Sequence, residues 1–233
     1  MDLAINSITM NLLYANAPLK LVVLGWVVVL PWLALSLLAV RRQFLPSSAA
    51  EHVWLAGIVV ISFLWVLHVR SPVGLDFGLL GGALFTLLFG RDRAILGLLS
   101  ALALHTLMTD GSWENFGING TLLAVVPACT TSLLQRLIER WLPKNIFIFI
   151  FGNGLFVTLV VTALVSALLL VASAAVGHAA ARQLGEHLAY SLLLAWGEAL
   201  VSGMVFSALV VFLPQAVLTY RQDTYLPPRR TSL

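Results

Sequence analysis

Long apolar runs separated by short charged or turn-forming breaks dominate the sequence. The runs cover residues 19–40, 53–69, 75–89, 94–108, 119–141, 146–176 and 188–213. They are continuous rather than alternating, which favours membrane-spanning helices over the strands of a membrane barrel. Because about 20 apolar residues carry a helix across a bilayer, the pattern predicts about seven transmembrane helices, of which 75–89 and 94–108 are short for a complete crossing.

Composition strengthens this prediction. Of 233 residues, 60% are hydrophobic and 10% are charged, whereas a soluble domain carries about 25% charged residues. A soluble, disordered or nucleic-acid-binding protein is therefore excluded, despite a net charge of +3. We expect one integral membrane domain over residues 1–226, with 1–18 as a retained interfacial segment and 227–233 as a short cytoplasmic tail. The single cysteine, Cys129, excludes an intrachain disulfide.

The basic residues predict the orientation. Three lie on one side of the predicted membrane, namely Lys20, Arg70 and Arg182, and ten lie on the other, namely Arg41, Arg42, Arg91, Arg93, Arg136, Arg140, Lys144, Arg221, Arg229 and Arg230. Because the basic side of a membrane protein faces the cytoplasm, the N-terminus is predicted outside and the C-terminus inside. An odd number of spans is required, and seven satisfies it.

Four ionisable residues lie at predicted helix ends on the outer side: His68, Asp76, His105 and Asp110. Imidazole and carboxylate groups together suit a first-row transition metal. The alternative is that these side chains only meet headgroups and water.

Glu198 lies near the middle of the last apolar run. An ionised group at the bilayer centre costs about 2.5–3.5 kcal/mol, so this side chain should face the bundle interior or a wet cavity. A functional or packing role is one interpretation, and a neutral carboxyl bonded to a neighbouring helix is the other.

Small residues recur at intervals of four, a spacing that lets two helices approach closely. They are Gly78 and Gly82 in one run and Ala199, Gly203 and Ser207 in another. The contact they predict is either internal or with a partner protein.

Enzymatic motifs are missing from the sequence. Neither lysine, Lys20 or Lys144, lies in a Gly-Lys-Ser/Thr phosphate-binding loop. The Gly-x-Ser-x-Gly motif of hydrolases and the His-Glu-x-x-His motif of metalloproteases are also missing. We expect no catalytic residues and no resident cofactor. An intramembrane enzyme using His105 with Asp110 or Glu114 is the weakest alternative, because no nucleophile adjoins them.

The middle of the chain resembles a known family. The matching stretches, in chain order, are Leu79-Leu80-Gly81-Gly82, Leu88-Phe89-Gly90, Asp110-Gly111, Phe116-Gly117-Ile118-Asn119, Val126-Pro127, Gly197-Glu198-Ala199 and Gly203-Met204. Over residues 75–226 they are similar to CbiM/NikM, the membrane substrate-binding components of energy-coupling-factor transporters for cobalt and nickel. On this resemblance Gly117, Asn119, Pro127 and Glu198 are family-motif positions.

The resemblance implies a compact bundle of six or seven helices in the bacterial inner membrane. It implies nickel or cobalt bound near the outer face, together with a coupling protein and two cytoplasmic ATPases. In the family a histidine after Met1 coordinates the metal with the amino terminus, but this chain has Asp2. A second family histidine is replaced by Gly78. The sequence therefore predicts a transporter component for a transition metal or related small cofactor, with a membrane scaffold that lost the site as the alternative.

Overall fold

The computed structural model describes residues 8–9, 17–41, 48–66, 69–70, 75–77, 81–109, 112–175 and 184–220. Within them the chain forms seven helices: α1 Leu19–Arg41, α2 Ser48–Val66, α3 Gly82–Phe89, α4 Arg91–Met108, α5 Phe116–Trp141, α6 from Ile146 to Ala175, and α7 Leu184–Phe212. In this part of the chain five helices, α1, α2, α5, α6 and α7, are long and apolar enough to cross a membrane. The predicted helical membrane fold is confirmed at this level, while seven crossings and their orientation stay predictions.

The two short apolar runs, 75–89 and 94–108, form different secondary structure. Residues 94–108 lie in α4, which has 18 residues and begins with the charged turn Arg91, Asp92 and Arg93. Residues 75–89 do not form one helix, because a strand precedes Gly81, whose φ of 68° interrupts the chain before α3. With eight residues, α3 is about 12 Å long, so it cannot cross a bilayer alone.

A small sheet covers one end of the bundle, which the continuous apolar runs did not predict. Its strands are β1 Ile8–Thr9, β2 Val69–Arg70 and β3 Leu75–Phe77, in the order β1-β3-β2. β1 runs parallel to β3, with Ile8 opposite Leu75 and Thr9 opposite Asp76, while β2 is antiparallel to β3. The backbone near the N-terminus therefore lies beside the connection from α2 to α3. Most of the interfacial segment predicted at 1–18 lies outside the described residues.

The core lies where α3, α4 and α5 meet. Leu87 and Phe89 of α3 and Leu98 and Leu102 of α4 are among the fully buried side chains, while Leu193 of α7 and many other large apolar side chains are exposed. In a bilayer such exposure is expected, because lipid is as apolar as leucine and packing rather than hydrophobicity decides which helix faces meet.

Two long helices contain π-helical segments. Thr121–Val125 interrupts α5, and Phe149–Val157 occupies the first part of α6. Pro127 follows the first segment closely, and because proline has no N–H it already breaks the regular hydrogen-bond ladder there. π-Helical segments are often found at functional sites.

The bundle has two chemically different ends. Arg91, Arg136 and Lys144 line one groove, and Arg93 lines a smaller one beside Ala39 near the end of α1. The sheet and Gly81 lie at the other end of α3. The described basic residues that line these grooves thus gather at one end of the bundle, while the orientation of that end in the membrane stays a prediction.

Candidate functional site

Glu198 joins the middle of α7 to the sheet-bearing end of the bundle. Its side chain is 2% exposed, and Oε1 accepts a hydrogen bond from the backbone N–H of Gly81 at 2.8 Å. Gly81 precedes α3, so the carboxyl group of Glu198 lies at the N-terminus of that helix. The expectation that Glu198 faces the bundle interior is confirmed by this burial, while a role in transport stays a prediction.

His105 is buried in the last turn of α4. The imidazole is 2% exposed and meets the ring of Trp65 edge-on, with the ring centroids 6.2 Å apart. The carbonyl of His105 accepts hydrogen bonds from the backbone N–H and the hydroxyl of Thr109. The residue is therefore part of the packed interface between α2 and α4 rather than exposed to headgroups and water.

Asn119 and Asn153 are fully buried asparagines beside or within the π-helical segments. Among the described residues, neither amide has a hydrogen-bond partner for its nitrogen or its oxygen. An unsatisfied buried polar group costs about 1–3 kcal/mol, so a residue of this kind is retained at a cost to stability. The sequence singled out Asn119 by resemblance, but nothing in the hydropathy pattern distinguished Asn153.

Two glycines let the backbones of α1 and α5 come into contact near the start of α5. A Cβ added to Gly25 of α1 would lie 2.4 Å from the nitrogen of Ile118, and one added to Gly117 would lie 2.6 Å from the nitrogen of Trp26. The hydroxyl of Thr121 also donates to the carbonyl of Gly25 at 3.3 Å. Gly117 is thus a close-packing position between α1 and α5.

Gly82 and Pro127 form a second close contact. A Cβ on Gly82 would lie 3.1 Å from the Pro127 ring, so the small residue allows α3 to pack on α5. Both residues had been singled out in the sequence, Gly82 for its spacing and Pro127 for the resemblance, and the structure brings them together.

The small residues of α7 divide between the interior and a groove. Ala199 is fully buried, whereas Gly203 and Ser207 line a groove of about 450 Å³ between α6 and α7. A Cβ on Gly154 of α6 would lie 3.2 Å from the Cα of Gly203, so part of this stripe makes an internal contact.

Four predicted ligands lie outside the described residues: Met1, Asp2, His68 and Asp110. Gly78, which was predicted as a helix-packing position, lies outside them too. For Asp76 the structure gives only the backbone, in β3. Among the described residues there is no group of three or more His, Cys, Asp or Glu side chains that could hold a metal ion. A site formed by His68, Asp76, His105 and Asp110 therefore stays a prediction.

Two solved structures share the fold. One is a truncated transition metal transporter, with a TM-score of 0.67 and 15% identity, covering 84% of this chain and 97% of that chain. The other is a transition metal transporter, with a TM-score of 0.65 and 15% identity, covering 85% and 92%.

At the level of sequence, no curated protein matches the chain. One family model does match it, that of the cobalt uptake substrate-specific transmembrane region, CbiM, over residues 17–216. This match extends from the start of α1 beyond the end of α7 and includes both Gly117 and Glu198. The chain therefore belongs to the CbiM family.

Proposed function

We propose that the chain is the substrate-binding membrane component of an energy-coupling-factor transporter that takes up cobalt or nickel into a bacterial cell. The observation that carries this proposal is the family match over residues 17–216. The shared fold with two transition metal transporters supports it. The ion is the cargo, captured at the outer face of the inner membrane.

The sheet-bearing end is the part of the bundle best suited to capture the ion. It carries the backbone near the N-terminus in β1 and Asp76 in β3, and α4 ends there with His105. An imidazole and a carboxylate supply the nitrogen and oxygen ligands that first-row transition metals accept. We assign His68, Asp76, His105 and Asp110, with Met1 and Asp2, as the candidate ligands.

Energy must come from partner subunits, because the sequence has no phosphate-binding loop. A coupling protein and two cytoplasmic ATPases would supply it. The Gly203 and Ser207 groove is the proposed contact with the coupling protein, since it is the part of the small-residue stripe that stays open.

The test is the metal content of the purified chain, measured by mass spectrometry after expression with cobalt or nickel. We expect about one ion per chain, and we expect loss of the ion in H105A. His52, an exposed histidine near the start of α2, provides the matched control H52A, which should keep the metal. H105F separates ligation from packing, because it keeps an aromatic ring against Trp65 and removes the nitrogens.

A membrane scaffold that has lost the metal site is the second candidate. It is favoured by Asp2 and Gly78, which stand where the resemblance expects histidines. It predicts that no metal co-purifies and that H105F leaves every phenotype unchanged. Metal in the wild type with loss in H105F would exclude it.

A further inference from the structure

A charged groove opens at the arginine-rich end of the bundle, away from the proposed capture site. It has a volume of about 610 Å³ and lies between the α3–α4 turn, the last turns of α5 and the segment after α7. The groove contains Arg91, Asp92, Gln135, Arg136, Glu139 and Lys144. The proposed transport function uses none of these side chains.

The charges of the groove leave a positive excess. Asp92 accepts a hydrogen bond from Nε of Arg91 at 2.9 Å, and Glu139 accepts one from Gln135 at 3.2 Å. Asp92 is therefore paired with Arg91, whereas Gln135 is neutral and does not offset the charge of Glu139. In the described part of the chain, the exposed cations Arg136 and Lys144 have no ion-pair partner. With three cations and two carboxylates, the groove keeps a positive excess of one charge.

The helix that supplies Arg136 also carries an apolar stripe on a different face. Leu133, Leu137 and Trp141 are exposed at intervals of four residues, and none of them lines the groove. Exposed tryptophans mark the level of the headgroups in membrane proteins. The exposed Trp141 at the end of α5 therefore indicates that the neighbouring groove lies near the headgroup level.

The wall of the groove is fixed by hydrogen bonds. The N–H of Leu218 donates to the carbonyl of Leu88 at 2.7 Å, and the hydroxyl of Thr219 donates to the carbonyl of Leu87. These bonds hold the segment after α7 against α3. Because the wall is already ordered, little conformational entropy is lost when a ligand enters.

We propose that this groove binds the headgroup of an anionic glycerophospholipid, with the phosphate against Arg136 and Lys144. Guanidinium and ammonium groups bind phosphate through charge-assisted hydrogen bonds. Basic pockets between transmembrane helices on the cytoplasmic side bind anionic headgroups. The volume of the groove and its position near the headgroup level favour a lipid headgroup over a free phosphate ion. This inference goes beyond metal uptake and does not rest on it.

The test titrates the purified full-length chain with dioleoylphosphatidylglycerol in detergent and counts bound lipid by native mass spectrometry. Dioleoylphosphatidylcholine, glycerol 3-phosphate and inorganic phosphate are measured in parallel. We expect the affinity for phosphatidylglycerol to fall about tenfold in the double variant R136Q/K144Q. The matched control is R140Q, because Arg140 is exposed one turn further along α5 and does not line the groove. It should keep its affinity within about twofold.

Ser132→Leu provides a second variant, because it fills the groove without changing its charge. It should also weaken binding, and thermal unfolding in detergent shows whether each variant is folded. Equal binding of the phosphatidylcholine would overturn the proposal, as would equal losses in R140Q and the double variant. Tight binding of glycerol 3-phosphate or inorganic phosphate would assign the groove to a soluble anion instead. Unchanged lipid binding with lost assembly of partner subunits would assign it to a protein.

Discussion

The carboxylate of Glu198 and the backbone N–H of Gly81 form a hydrogen bond of 2.8 Å across 117 residues of sequence. The bond connects the middle of α7 to the N-cap of α3, which follows β3 in the sequence. It gives a buried carboxylate a donor and a helix N-terminus, which offsets part of the cost of placing it within the membrane. Because Gly81 lies four positions after Phe77, we expect this bond to help order β3 as well.

Replacing Glu198 by alanine should destabilise the protein. The variant leaves the Gly81 N–H without its acceptor, which costs about 1–3 kcal/mol when the group is buried. We expect a lower midpoint of thermal unfolding in detergent and faster hydrogen exchange at the amides of Leu75–Phe77. Glu198→Gln keeps an acceptor oxygen and should lose less.

Ser202 provides the control for this pair of variants, because it is buried on α7 one turn after Glu198. Ser202→Ala should leave exchange in β3 unchanged. If E198A and S202A gave the same exchange rates, the bond to Gly81 would not be what positions the sheet.

Gly25→Ala should weaken the contact between α1 and α5. The added methyl would lie 2.4 Å from the nitrogen of Ile118, a backbone atom that cannot move aside without shifting a helix. Overpacking of this kind costs about 1–3 kcal/mol. The measurement is the thermal midpoint of the detergent-solubilised chain by size-exclusion chromatography.

Gly197→Ala is the matched control, because nothing lies within 4 Å of the added methyl on α7. There the change from glycine to alanine should be neutral or stabilising by up to about 1 kcal/mol, through helix propensity. A G25A protein that unfolded at the G197A midpoint would show that α1 is free to shift.

The approximate placement of the five long helices could be predicted from hydropathy alone. The run 19–40 became Leu19–Arg41 and the run 119–141 became part of Phe116–Trp141, because the cost of exposing backbone to lipid acts on each segment separately. The small sheet could not be predicted, since its backbone pairings join residues 67 positions apart, as between Ile8 and Leu75.

The sequence also does not show which faces of the helices pack against each other. In a chain with 60% hydrophobic residues, apolar character does not distinguish a buried face from a lipid-facing one, so side-chain size decides. The spacing of Ala199, Gly203 and Ser207 did predict a close contact, and Gly203 makes one with Gly154. The partners of Glu198 and Gly117 depend on helix arrangement and became visible only in the fold.

Ser207→Leu should block the proposed coupling contact without unfolding the chain. Ser207 lines the open groove between α6 and α7, so a larger side chain occupies the space that a partner helix needs. We expect the coupling protein to be lost in co-purification, with the thermal midpoint unchanged. Ala189→Leu, an equivalent enlargement at an exposed position of α7 outside the groove, should keep the partner.

The Ala199→Leu variant tests the buried part of the small-residue stripe formed by Ala199, Gly203 and Ser207. Because Ala199 is fully buried within the chain, its enlargement should lower the thermal midpoint itself, by overpacking. If S207L also lowered the midpoint, the groove would be part of the internal packing and not a free surface.

Asn119 and Asn153 provide a comparison between stability and function. Both amides are buried without hydrogen-bond partners in the described chain, so replacing either by alanine removes an unsatisfied polar group that costs about 1–3 kcal/mol. Alanine leaves a small space in return, and we expect unchanged or higher thermal midpoints for both variants. Of the two, Asn119 lies near the proposed capture end, because it is in the first turn of α5. Asn153 lies two turns into α6, which begins at the arginine-rich end of the bundle. Metal loading measured by mass spectrometry should therefore fall in N119A and persist in N153A, and equal loading in both would remove Asn119 from the capture site.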